Sequence, residues 1–358
     1  SSNFYPQLFL KRYYKANRFL MGQLGIWPDQ SRAKRIALPI INGVIAASIF
    51  IPVIIRMHDM WGEEMDHFIE ALPPMMIVTM GAVKLLNGVV NQPLLYLLDQ
   101  IVNDWKKLEK SSSSIAILQK HAKEGRKLTI VYTTLLYSAM TAFNCLPLIP
   151  IVLNIVAPLN ESRPKTFVIE TEYRIDFQKY YYYLMVHYMI SCYVVISIYV
   201  TVDTMYAVWV QHCCALFEIV GSSLAYITGV MSNLLYLATT PDDLLPESIF
   251  FQLVIKLNDY AEAMRFGALC ASQVVHLYFH TLPGQKLINY STSISQYTYA
   301  CNWYRFSTRT QMLLKLIISR SHKPCILTAG KVYLINMENF SAVMKTSMSY
   351  FTVFCSLR

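Results

Sequence analysis

Charge is what this chain has least of. Asp, Glu, Lys and Arg make up 15% of its 358 residues, and 54% are hydrophobic. Ordinary soluble domains carry about 25% charged residues, so a soluble enzyme of this length is disfavoured. The runs Ile36–Ile55, Leu128–Asn160, Tyr180–Val202 and Phe266–Gln285 hold no charge, and Thr204–Phe217 and Ile219–Pro241 are parted only by Glu218. A bilayer core needs about 20 consecutive apolar residues in a helix. Only helices and closed barrels satisfy their backbone in lipid, and none of these runs alternates like a barrel strand. The composition implies an all-α polytopic membrane protein.

Other absences narrow the function. The chain contains no CxxC pair, and its cysteines fall outside the polar loops expected to face the exterior. That excludes a disulfide framework and a zinc ribbon, and leaves cysteine as small apolar filler. Ser1–Arg35 is basic and aromatic without a cleavable apolar core, so the first span is expected to insert as its own signal. GxSxG, P-loop and dinucleotide fingerprints are missing, and Asp203 and Glu218 are too isolated to propose a catalytic site. His276 and His280 stand four apart, as in a zinc pair, but Leu277 occupies the place of the glutamate that metalloproteases need. Neither an enzyme, a metal nor a cofactor is expected. The net charge of +9 sits in blocks beside apolar runs, so it reads as topology and not as a nucleic-acid surface.

Cytoplasmic flanks are rich in Lys and Arg. Lys11, Arg12, Lys15, Arg18, Arg32, Lys34 and Arg35 precede the first span, against the single acid Asp29. The N-terminus is placed inside. Asp59, Glu63, Glu64, Asp66 and Glu70 then mark an outside loop. Span 2, about Ala71–Val90, holds Lys84, for which a functional charge, snorkelling and burial in the bundle all stay open. The basic stretch Lys106–Lys127, broken by Ser111–Ser114, returns inside. Span 3 starts at Leu128, and the loop Ala157–Lys179 carries a glycosylation acceptor at Asn160, usable if that loop is outside. Span 4 opens on Tyr180–Tyr183, which suits an interfacial belt. The last basic block, Lys286–Lys331, should be inside, yet only Phe266–Gln285 separates it from Asp203. Either Met205–Leu237 hides a second span, or a span is absent from the chain near residues 265–268.

In the final segment Thr346, Ser349, Val353 and Ser356 recur at spacings of three and four, one face of a helix. A helix with a hydroxyl-bearing face either packs in a bundle or lines water.

The C-terminal third resembles the insect odorant-receptor family. The residues that carry the likeness are His276–Leu287 (HLYFHTLPGQKL), Trp303-Tyr304, Arg320–Lys331 (RSHKPCILTAGK), Phe340 and Met344–Phe351 (MKTSMSYF). The resemblance implies seven spans with the N-terminus cytoplasmic. It implies an odorant-gated, non-selective cation channel, a tetramer built with a shared co-receptor in the plasma membrane of olfactory sensory neurons. Leu327–Lys331 and Ser349–Phe351 look like those of tuning subunits. The implied plan is a cytoplasmic segment at 1–35, spans 1–4 with the odorant pocket at 36–202, and a cytoplasmic helical extension at 203–265. Span 6 follows at 266–285, a cytoplasmic anchor helix at 286–331 and the pore-lining span 7 at 332–358. The fifth span, expected between Leu253–Arg265 and the helix bearing His276, is the one lacking near residues 265–268. Matching the last helix to the family's ending puts Val353 and Leu357 at a hydrophobic gate, with Ser349 and Ser356 as pore residues; ordinary packing is the alternative.

By the same resemblance the pocket lies in the outer halves of spans 2, 3, 4 and 6. A small, volatile, apolar ligand calls for an aromatic-lined cavity with few polar groups. The candidates are Met76, Met80, Phe143, Leu146, Tyr183, His187, Tyr188, Cys270 and Gln273, each of which a membrane helix could equally use for packing. Tyr183 and His187, four apart, could offer two polar tips to one ligand. A gustatory-type homomeric channel and a G-protein-coupled receptor are the rival readings; the basic residues before span 1 oppose the second.

Overall fold

A computed structural model describes residues 13–60, 65–90, 93–156, 167, 171–227, 260–330 and 332–356. Ten α-helices follow among these residues: α1 Lys15–Gln23, α2 Arg32–Met60, α3 Met65–Val90, α4 Pro93–Leu108, α5 Ser112–Cys145, α6 Ile149–Val156, α7 Phe177–Ile227, α8 Tyr260–Ala300, α9 Thr308–Ser321 and α10 Met337–Ser356. A short hairpin, β1 Thr328–Ala329 and β2 Tyr333–Leu334, precedes α10. Three stretches are long and apolar enough to cross a membrane, Arg32–Met60, Ser112–Val156 and Phe177–Leu224, and Pro74–Val89 is a shorter apolar helix.

The helices begin where side chains can take up orphan backbone N–H groups. Ser111 Oγ accepts from Ser114 N at 3.4 Å and so caps α5 from within the serine run. Asp176 Oδ1 accepts from Gln178 and Lys179 N at 3.1 and 3.2 Å at the start of α7. Ser307 caps α9, and Asn336 Oδ1 caps α10 through Asn339 N at 2.8 Å. With 51 residues, α7 is roughly 76 Å long at 1.5 Å per residue. A hydrocarbon core is about 30 Å thick, so α7 is far longer than one crossing.

The chain forms two compact units. The first comprises Ser1–Gln100, Leu128–Met205 and Asp259–Ala268. In it α2 packs on α3, and Ile26, just past α1, reaches Gly88 of α3, where an added Cβ would stand 3.0 Å from its Cδ1. Its centre is charged. Lys84 Nζ donates to Asp203 Oδ1, and Tyr132 Oη donates to Asp203 Oδ2 at 2.8 Å. The Lys84 ammonium lies 4.4 Å from the centroid of the Tyr199 ring, whose hydroxyl donates to the Ile77 carbonyl at 2.9 Å. Burial in the bundle is thus what Lys84 does.

The second unit comprises Ile101–Lys127, Tyr206–Asn258 and Leu269–Arg358. Val210, Cys214 and Leu287 form its apolar centre, flanked by Tyr206, Phe217, Tyr290, Cys325 and Leu327. Beside it runs a polar seam. The His121 ring stands between Gln211 Oε1 at 3.1 Å and Glu218 Oε2 at 2.7 Å, and Lys120 donates to Glu218 Oε1 at 3.1 Å. His212 meets Asp104 at 3.1 Å, and Lys286 donates to Glu124 at 3.0 Å. Four helices are tied by these contacts, α4, α5, α7 and α8.

The stretch 286–331, expected as one anchor helix, is the end of α8, then α9, then extended chain entering the hairpin. Pro324 cannot continue a helix, and Gly330 adopts φ +61°, the left-handed conformation a side chain resists. Gly284 answers to a different demand. An added Cβ there would collide with the carbonyl oxygen of Ile335, and its neighbour Gln285 accepts the Met337 N–H at 3.2 Å. The Pro283-Gly284-Gln285 stretch is therefore the seat on which the start of α10 rests. Residues 265–268, where a span is expected to be absent, lie inside α8, which runs unbroken through Phe266 and Gly267; residues 228–259 lie outside the described residues.

Two outcomes follow from this packing. Lys84→Met strands a buried carboxylate and should destabilise the detergent-purified protein by about 3–5 kcal/mol, read as a fall in melting temperature. Lys84→Met with Asp203→Asn should recover most of that loss. Gly284→Ala should cost about 1–3 kcal/mol through overpacking against backbone. On the same helix Gly267→Ala, where an added Cβ meets nothing within 4 Å among the described residues, should instead raise stability slightly, by about 0.5–1 kcal/mol, since alanine is the better helix former.

Candidate functional site

The first unit carries an aromatic box. Phe167 stacks on Tyr188, with ring centroids 5.4 Å apart and planes 7° from parallel, and on Tyr181 at 5.4 Å. Phe177 meets both Phe167 and Tyr181 edge to face at 5.0 and 5.4 Å. Such pairs prefer offset or T-shaped contact because the ring faces are electron-rich and the edges electron-poor. Tyr181 and Tyr188 are seven residues apart, two turns of α7, and therefore share one face; both are 0% exposed, and Leu184 between them is also buried. Tyr181 Oη donates to the Pro147 carbonyl at 3.2 Å, which ties α7 to the turn between α5 and α6.

A polar chain borders the box. Ser48 Oγ donates to the Ile45 carbonyl at 2.7 Å, so the hydroxyl proton is committed there. His187 Nε2, 2.8 Å from the same Oγ, must then be the donor. That leaves His187 Nδ1 as the acceptor for Tyr173 Oη at 3.0 Å. Burial pushes the Tyr173 phenol up to about 12, so it keeps its proton and donates at neutral pH. The hydrogen bonds thus select one tautomer of His187 and lock the ring between α2 and the segment before α7.

That segment is strapped down elsewhere too. Glu172 N donates to the Pro52 carbonyl at 3.0 Å, and Arg174 Nη2 donates to Asp59 Oδ1 at 2.6 Å. Arg174 holds φ at 57°, unusual for a side-chain-bearing residue. Its N–H donates to Glu172 Oε1 at 2.7 Å, which helps hold the turn.

The candidate residues distribute unevenly over this architecture. Tyr188 lies in the box and His187 in the polar chain beside it. Phe143 is buried on α5, and Leu146 is half-buried in the turn that ends at Leu148. Tyr183 is 78% exposed, so it and His187 point to different surroundings. Met76 and Met80 on α3 are exposed, as are Cys270 and Gln273 on α8. On α10, Thr346, Ser349 and Val353 are exposed on the chain, and Ser349 Oγ donates to the Lys345 carbonyl at 3.0 Å. The Ser356 side chain, Leu357 and Asn160 lie outside the described residues. The His276 and His280 rings contact each other edge to face at 4.6 Å on α8.

Sequence reasoning overlooked Phe167, Tyr173 and Ser48, which stand outside the helix that bears their partners. It also read Tyr181 as an interfacial tyrosine, although the seven-residue spacing to Tyr188 was available as a signal.

Comparison with known proteins places the likeness in the C-terminal part. Residues 248–348 match a family profile described as 7tm Odorant receptor. The odorant receptor coreceptor of Anopheles gambiae is 23% identical over 92 residues, 26% of this chain and 19% of that protein. Odorant receptor 82a of Drosophila melanogaster is 24% identical over 109 residues, 30% of this chain and 28% of that protein. Odorant receptor Or2 of Anopheles gambiae is 28% identical over 109 residues, with the same two shares. The chain thus spans less than a third of the length of the curated relatives it matches. In fold the likeness extends over the whole chain: the olfactory receptor OR5 of Machilis hrabei, solved in complex with eugenol, superposes with a TM-score of 0.75 over 100% of both chains at 11% identity. Its structure without that ligand gives 0.73 at 10% identity.

The polar chain can be tested on its own. Tyr173→Phe leaves Nδ1 of His187 without its donor and should lower stability by about 1 kcal/mol, measured as a melting shift of the purified protein. Tyr183→Phe, on an exposed site, should leave the melting temperature unchanged.

Proposed function

Because the chain belongs to the insect odorant-receptor family, we propose that it is the odorant-binding subunit of a ligand-gated, non-selective cation channel. It assembles with co-receptor subunits into a tetramer around a central pore, in the plasma membrane of olfactory sensory neurons. The observation that carries the proposal is the match over residues 248–348. That stretch contains the seat at Gly284 and Gln285 and the first part of α10, from Met337 to Met348.

In this reading the labour is divided among successive segments of the chain. The N-terminal segment 1–35 is cytoplasmic, and 36–202 crosses the membrane and holds the odorant. The extension at 203–265 and the segment 286–331 form the anchor, 266–285 is span 6 and 332–358 lines the pore. The exposed hydroxyl-bearing face of α10 supports a wall met by water and neighbouring subunits. Val353 and Leu357 close the path by dewetting, and Ser349 and Ser356 line it. Asn160, on the outside, carries glycan. The solved fold relative holds eugenol, which supports a small volatile ligand in the apolar bundle of the first unit, bounded by Phe143, Leu146, His187 and Tyr188. Met76 and Met80 complete the proposed lining from span 2.

Whole-cell recording tests this directly. Cells expressing the chain together with a co-receptor should give odour-evoked, non-selective cation current, and cells expressing either alone should give much less of the chain-specific response. Silence across a broad volatile panel, with surface labelling confirming both subunits, would remove the channel reading.

A further inference from the structure

Buried polar atoms normally find partners, and Asn144 and Ser191 are among the side chains of the first unit that depart from this among the described residues, as do the hydroxyls of Thr133 and Thr171. Asn144, on the last turn of α5, is 3% exposed, and neither its Nδ2 nor its Oδ1 has a hydrogen-bond partner among the described residues. Ser191 on α7 is 0% exposed, and its Oγ is likewise unpartnered. The contrast with their neighbours is sharp. Ser197, Thr201 and Thr204 on the same helix each donate to the carbonyl four residues back, at 2.6, 2.7 and 2.7 Å. Thr141, one turn before Asn144, does the same at 2.8 Å. A serine in a helix can always fold back in this way, and Ser191 does not.

The two residues stand at one level of the bundle. Helices α5 and α7 run antiparallel, joined by Tyr137–Ser197 at 2.7 Å, Thr141–Tyr193 at 3.0 Å and, just beyond α5, Pro147–Tyr181 at 3.2 Å. Asn144 lies between Thr141 and Pro147, and Ser191 lies between Tyr181 and Tyr193. The last two contacts therefore bracket both residues. Within that bracket stand Tyr188 of the aromatic box and, next to Asn144 in sequence, the buried Phe143.

We propose that Asn144, assisted by Ser191, is the polar anchor of the ligand site and selects volatiles bearing a hydroxyl group on an apolar or aromatic body. This rests on the odorant-binding reading above. An asparagine amide offers both donors and an acceptor. A ligand hydroxyl donates to Oδ1 and, with its two lone pairs, accepts from Nδ2 and from Ser191, so both side chains gain partners. A carbonyl or an ether only accepts, and leaves Oδ1 buried without a donor. A hydrocarbon leaves all of them unpaired, and a buried polar group left unpaired carries its full desolvation cost. Hydroxyl compounds therefore bind first, carbonyls and ethers behind them, and hydrocarbons last.

The test uses full-length chain with co-receptor and matched triplets of C6–C10 alcohols or phenols, their methyl ethers and their parent hydrocarbons. Two readouts are taken: dose–response of current, and ligand-induced melting shift of the purified complex. Asn144→Leu should raise the half-effective concentration of hydroxyl ligands about tenfold or more, a loss of one buried hydrogen bond's order, while hydrocarbons change little or improve. Ser191→Ala should weaken hydroxyl ligands less. If Asn144→Leu weakens all members of a triplet equally at normal surface expression, the residue is structural and the proposal falls. It falls equally if no ligand is affected, or if no hydroxyl compound in the panel acts on wild type in either readout. If melting shifts follow the predicted order but no current appears, the site stands and the channel reading is what fails.

Discussion

A lysine and an aspartate enclosed by apolar helices persist only as partners, because each alone would carry a desolvation cost of several kcal/mol. Lys84 and Asp203 are such a pair, and the first unit is organised around them. Lys84 stands on α3, Asp203 on α7, and Tyr132 brings α5 to the second carboxylate oxygen. Tyr199 adds its ring face beneath the ammonium and spends its hydroxyl on α3. Sliding any of the three helices by one residue would turn a charged or hydroxyl group away from its partner. The pair thus sets the register of the bundle. That register brings Tyr188 level with the end of α5 and His187 level with Ser48.

Above that pair the interactions change in kind. Nonpolar contact and directional hydrogen bonds replace charge: stacked rings at Phe167, Tyr181 and Tyr188, and the chain Tyr173–His187–Ser48–Ile45 with a single consistent set of proton positions. The strap around Arg174 holds Tyr173 where it can donate. A rigid wall of this sort suits recognition of a small ligand, because little side-chain freedom is lost on binding. Asn144 and Ser191 differ from it in having capacity left over, and that is the physical basis for assigning them a partner from outside the chain.

The second unit solves a different problem. Its helices are tied by charged and amide contacts through His121, Glu218, Lys120 and Lys286, flanking an apolar centre at Val210, Cys214 and Leu287. On α8 the missing Cβ of Gly284 admits the Ile335 carbonyl, and Gln285 holds the first N–H of α10. The helix proposed to line the pore is therefore set by its start, where Asn336 also caps it, while much of its length is exposed on the chain.

Charge scarcity and the uncharged runs were sufficient to read an all-α membrane protein, because the bilayer's demand on backbone hydrogen bonds admits little else. The C-terminal motifs carried the family, since Pro283-Gly284-Gln285 and Thr328-Ala329-Gly330 are local solutions to local demands, a close backbone approach and a left-handed turn, and so leave a compact trace in sequence. The site did not. Tyr183 and His187 satisfy helical spacing equally well, and only packing puts one outside and the other between Ser48 and Tyr173. Lys84 had three readings until Asp203, 119 residues on, stood beside it. Asn144 is one amide in a long uncharged run; that its atoms find no partner among the described residues is a property of neighbours from distant helices, which spacing along the chain cannot encode.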